Sequence, residues 1–120
     1  MRSFSVVCIC CAACILASCA QFTLADANMF YKGMTISEVE NVVSRSPQNT
    51  FEVNLPSSPN KRYFIEQYII AFGDYKSVYF CAYEGGGLLY WGYPLEFNRH
   101  PDATLNELGR AATAAYDRAK

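Results

Sequence analysis

The stretch RYFIEQYIIAFGDYKSVYFCAYEGGGLLYWGY, residues 62–93, decides how this chain folds. Its runs RYFIEQYIIAF (62–72) and KSVYFCAYE (76–84) are rich in β-branched and aromatic residues, which suit a pleated, half-buried surface. They meet across Gly73-Asp74-Tyr75, so the pattern predicts a β-hairpin. Glu84-Gly85-Gly86-Gly87 can supply the positive φ angles of a second tight turn, and Leu88 to Tyr93 return as the next strand. Upstream, Phe51, Val53 and Leu55 alternate in NTFEVNL (49–55), the period of a fourth strand. NLPSSPNK (54–61), with two prolines, reads as the loop between them. An antiparallel sheet of three to four strands is expected.

Helical signals flank the sheet. In GMTISEVENVVSRSP (33–47), Thr35 and Glu38 have capping-box spacing, and Met34 and Val39 stand where a hydrophobic staple would hold them. Ile36, Val39, Val42 and Val43 then share one face, and Pro47 marks the end. Three valines make this helix intrinsically weak, so it needs a surface to pack on. After the sheet, Thr104 and Glu107 repeat the capping-box spacing, with Leu105, Leu108, Ala112, Ala115 and Ala119 on one face. A helix before an antiparallel sheet and a helix after it make the expected fold class α+β.

Between the last strand and the last helix lies GYPLEFNRHPD (92–102). Two prolines stiffen it, and it carries the one histidine of the chain. Tyr93, Phe97, Arg99 and His100 have the aromatic-plus-arginine character of interface hot spots and are the candidate partner-binding residues. The bland reading is an ordered loop in which Phe97 plugs the core and Asp102 starts the next helix. His100 with Asp102 does not make a catalytic site, because a hydrolase also needs a nucleophile and an oxyanion site. No catalytic residue is assigned. Cys81, in mid-strand between Phe80 and Ala82, reads as a packed thiol.

The amino terminus reads as an address. Met1 and Arg2 precede an apolar run from Phe4 to Ala17, the layout of a secretory signal and shorter than the roughly 20 apolar residues of a membrane span. The run ends in Leu16-Ala17-Ser18-Cys19, which resembles the lipobox of bacterial lipoproteins. That resemblance implies a signal peptide over 1–18, acylation of Cys19, and attachment to a membrane through its acyl chains. Residues 19–32 then read as a lipidated tether and 33–120 as a single domain. Ala20, rather than an aspartate, follows the cysteine; by resemblance to enterobacterial lipoproteins this implies the periplasmic face of the outer membrane.

The address also settles the cysteines. Cys8, Cys10, Cys11 and Cys14 would leave with the signal, Cys19 would become a thioether, and Cys81 alone would remain. No internal disulfide is then expected, and one thiol with one histidine cannot make the usual four-ligand zinc site. No metal and no cofactor are expected. With Arg2 removed, 9 basic residues face 11 acidic ones, and a nucleic-acid partner, which calls for a basic stripe, is not expected.

Gly33-Met34-Thr35 with Val39 four residues on resembles the opening helix of the SmpA/OmlA (BamE-like) outer-membrane lipoproteins. Glu84 to Leu88 (EGGGL) is similar to that family's hairpin. The resemblance covers roughly residues 30–93. Arg45-Ser46-Pro47 departs from the family's Gly-x-Pro helix end, and the block from Pro94 onward has no counterpart. The resemblance implies a periplasmic binding or scaffolding module with a protein partner in the envelope, in outer-membrane protein assembly. The alternative is a small inhibitor or ligand-binding lipoprotein acting on an envelope hydrolase, with GYPLEFNRHPD as the obstructing loop.

Overall fold

The computed structural model describes residues 21–120; the expected signal peptide and Cys19 lie outside the described residues. Four strands, β1 (Asn49–Val53), β2 (Tyr63–Phe72), β3 (Tyr75–Glu84) and β4 (Gly87–Gly92), form one antiparallel sheet in the order β1-β2-β3-β4. Phe72 pairs with Tyr75, so the first hairpin turns on two residues, with Gly73 at φ 59° in the first central place, where the primed turn with a leading glycine puts it. The second turns on Gly85 and Gly86, both at positive φ, which an ordinary side chain resists. A bulge opposite Ala82 and Tyr83 lets β4 slip by one residue, so Tyr90 faces Ala82 and Leu88 faces Tyr83.

Both faces of this sheet are covered. Tyr63 and Ile65 of β2 and Phe80 and Ala82 of β3 point to one side, under Phe97, Leu108 and Ala112. These come from α3 (Pro94–Asn98) and α4 (Ala103–Ala119). Tyr68, Ile70, Tyr79, Cys81 and Tyr83 point to the other side. Their cover is α1 (Leu24–Ala27), α2 (Ile36–Val43) and the chain before and between them, which bury Phe22, Ala27, Phe30, Met34, Val39 and Val43.

The cover on this second face corrects the expected tether. Residues 22–32 belong to the domain: Phe22 is 1% exposed, with its ring 5.5 Å from that of Tyr68 and 5.4 Å from that of Tyr79. The Ala71 amide donates to the Phe22 carbonyl at 2.8 Å, tying the segment to the outer edge of β2. Thr23 and Asp26 cap α1 reciprocally, the Thr23 amide donating to Asp26 Oδ2 at 3.0 Å and the Asp26 amide to Thr23 Oγ1 at 3.4 Å. The chain then crosses the sheet and pairs with β4, where the Gly33 amide donates to the Leu88 carbonyl at 2.7 Å and the Leu88 amide to that of Met34 at 2.8 Å.

The capping box at Thr35 and Glu38 is present, with amide-to-side-chain bonds of 3.2 and 3.0 Å. Ser44 closes α2 in the left-handed region at φ 60°, so the helix stops three residues short of Pro47. The second expected box is corrected: α4 starts at Ala103, capped by Asp102, whose Oδ1 accepts from the Leu105 amide at 3.0 Å. Thr104 lies inside the helix, and Glu107 instead accepts a hydrogen bond from the Ser57 hydroxyl. Among the described residues no helix is long and apolar enough to cross a membrane.

Candidate functional site

The connector after β4 is ordered by its own residues. Pro94 occupies the first turn of α3, where a missing amide proton costs nothing, and the Tyr93 amide donates to Glu96 Oε1 at 2.9 Å. The short helix aims Phe97 inward. Phe97 is fully buried, 4.8 Å from the Tyr90 ring and 6.1 Å from that of Phe80, and it is not available to a partner. Apolar spacing could not separate this anchor from an exposed one, since the connector is too short to show a period.

The other three candidates diverge. The Tyr93 ring meets Tyr79 edge-on at 5.2 Å and packs on the α1–α2 side of the sheet. Arg99 is exposed. His100 lies edge-on to Tyr90 at 4.9 Å, and its Nδ1 accepts from the Asp102 amide at 3.0 Å. Of the four, His100 alone lines a surface groove of about 590 Å³, which the 54–61 loop and the start of α4 enclose with Ser57, Thr104, Glu107 and Arg110. A hydroxyl, an imidazole, a guanidinium and a carboxylate therefore share one groove. The Ser57 hydroxyl is tied to Glu107 rather than to His100.

A second polar group, missed by sequence reasoning, lies inside the molecule. Glu66 is 1% exposed on the face covered by α1 and α2, and one oxygen, Oε1, accepts from the Tyr83 hydroxyl at 2.6 Å and the Tyr68 hydroxyl at 3.1 Å. Burial pushes its carboxyl up to about 7; the Tyr83 hydrogen bond opposes that shift, and the Glu40 carboxylate approaching from α2 adds to it. Burial likewise holds the phenols of Tyr68 and Tyr83 well above their ordinary range. Cys81, paired with Glu66 across the strands, is buried as expected, and its thiol is pushed up chiefly by burial and further by Glu66. A thiol so held is a poor nucleophile. The signal for Glu66 was its place in strict alternation with Tyr68 and Ile70, which commits a carboxyl to whichever face those residues bury.

Among the described residues no group of three or more His, Cys, Asp and Glu is placed to hold a metal ion. Comparison of the chain with protein-family models, with curated proteins and with solved structures finds no match in any of the three.

Proposed function

We propose that the chain is a lipid-anchored lipoprotein of the outer membrane, acting at its periplasmic face as a binding or scaffolding module for another envelope protein. The observation that carries this reading is Leu16-Ala17-Ser18-Cys19 at the end of the apolar run. Confinement to a surface raises the effective concentration of such a module for a partner in the same layer, so a modest contact suffices. The exposed part of the connector, Arg99 with Leu95 one helical turn before it, offers a cation beside an apolar side chain for that contact. A role in outer-membrane protein assembly follows from the SmpA/OmlA resemblance. The hydrolase-inhibitor reading needs an aromatic plug on the connector, and Phe97, its best candidate, is spent in the core.

The test is Cys19→Ser. Loss of the thiol removes the acylation site, so the variant is expected in the soluble fraction with its fold intact. Uptake of labelled palmitate by the variant would overturn the reading.

A further inference from the structure

The tip of the β2–β3 hairpin carries a surface that the fold does not use. Phe72 and Tyr75 are 64% and 78% exposed. They are direct cross-strand partners, so both rings stand on the same side of the hairpin, and neither has a role in the core. An exposed aromatic pair of this kind is available for contact with something outside the molecule.

Two further observations bear on what would meet it. The first is where the described chain begins. Phe22 is bonded to Ala71, the residue before Phe72, and Thr23 forms a parallel bridge with the same residue. Cys19 lies three residues upstream, a reach of no more than about 11 Å even fully extended. Acyl chains on Cys19 would thus enter a bilayer close beside the hairpin tip. The second is charge. Next to the tip, between the start of β1 and the Phe22 segment, a hollow of about 370 Å³ is lined by Arg45 and Lys76 with Gln21, Ser46, Gln48 and Ile69. Neither cation is ion-paired among the described residues. Asp74 is the one acid in the turn; Asp26, in the neighbouring helix, is engaged by Thr23.

We propose that the hairpin tip is a membrane-docking device: Phe72 and Tyr75 enter the boundary between headgroups and acyl chains, while Arg45 and Lys76 meet anionic headgroups. This rests on the lipid-anchor reading and extends it. Aromatic rings with a polar end settle at membrane–water boundaries, and basic side chains beside them are attracted to an anionic surface. One covalent anchor leaves a domain free to swivel; a second contact beside it fixes which side faces the periplasm. The opposite end of the sheet, with the Gly85-Gly86 turn and the 54–61 loop, is then held away from the lipid.

The experiment uses the full, processed, acylated protein in vesicles of phosphatidylethanolamine and phosphatidylglycerol. With Cys19 acylated and Cys81 buried, Tyr75→Cys provides a single reactive thiol for an environment-sensitive dye. Asn60→Cys, at the far end of the sheet, is the control. The Tyr75→Cys label is expected to shift to the blue and to be quenched several-fold more than the control by lipids brominated near the headgroup. Adding Phe72→Ser and Lys76→Glu is expected to return it to the control level. Protein that floats with the vesicles while the Tyr75→Cys label stays in water overturns the docking and leaves the anchor standing. Protein that carries no acyl group and does not float overturns both. A shift that depends on protein concentration and not on lipid assigns the tip to a second copy of the chain and overturns the proposal.

Discussion

One face of the sheet is closed by α3 and the long α4 over Tyr63, Ile65, Phe80 and Ala82; the other is closed by shorter pieces of chain over three tyrosines and a buried carboxyl. On the α3–α4 face Phe97, Leu108 and Ala112 fill volume against Phe80 and Ile65, and the approach is close enough that a Cβ on Gly109 would stand 2.4 Å from that of Phe97. On the α1–α2 face the sheet also buries a polar group: Glu66 is tolerable there because two hydroxyls donate to it. The first face should therefore respond to changes of volume and hardly to pH, and the second to proton activity.

The largest expected effect tests the first half of that contrast. Phe97→Ala leaves a cavity between α3, α4 and β3, and should cost about 3–5 kcal/mol, read as a shift of the urea midpoint. A loss no greater than that of an ordinary surface substitution would mean that the connector, not the core, owns this ring.

The next tests the other face through Glu66. Its folded-state value, about 7, lies above the ordinary 4.5, so the fold favours the protonated form. The stability it supports is complete below the ordinary value. It declines as the pH rises from about 4.5 and is gone above about 7, a total on the order of 3 kcal/mol. Glu66→Gln should flatten the profile across that window. An unchanged slope in the variant would place the titration elsewhere.

The smallest effect sharpens the comparison from outside both cores. Arg99→Ala removes an exposed side chain and should change stability by no more than about 0.5 kcal/mol, while lowering recovery of whatever co-purifies with the wild type. A large drop in melting temperature would move Arg99 from the surface to the fold.

The contrast also explains what could be read in advance. The strands, both hairpins and the Thr35 box were legible because each is a local pattern: alternation, a glycine pair, two residues at fixed spacing. The cover of the α1–α2 face was not. Phe22, Ala27 and Phe30 show no period because that segment crosses the strands rather than running along one, so its apolar residues answer to the sheet beneath. Asp102 and Thr104 are both sound caps in isolation, and the helix uses the former. The candidate site was legible as a stretch and not as a surface: Tyr93 and Phe97 are sent to opposite sides of the sheet by β4 and α3, which no spacing announces.

The pairing of Gly33 with Leu88 and of Phe22 with Ala71 has a consequence in time. The first quarter of the domain to be synthesised has its partners in β2 and β4, and contacts between distant segments form only after the loop between them is closed. The strands joined by two-residue turns can assemble among themselves, and so can α3 with α4. The segment from Phe22 to Val43 is complete only when β4 is in place, because Gly33 and Met34 pair with Leu88 there. A nascent domain stalled before that step would leave Phe30 without Trp91, the ring it meets edge-on at 5.9 Å, and open to any chaperone within reach.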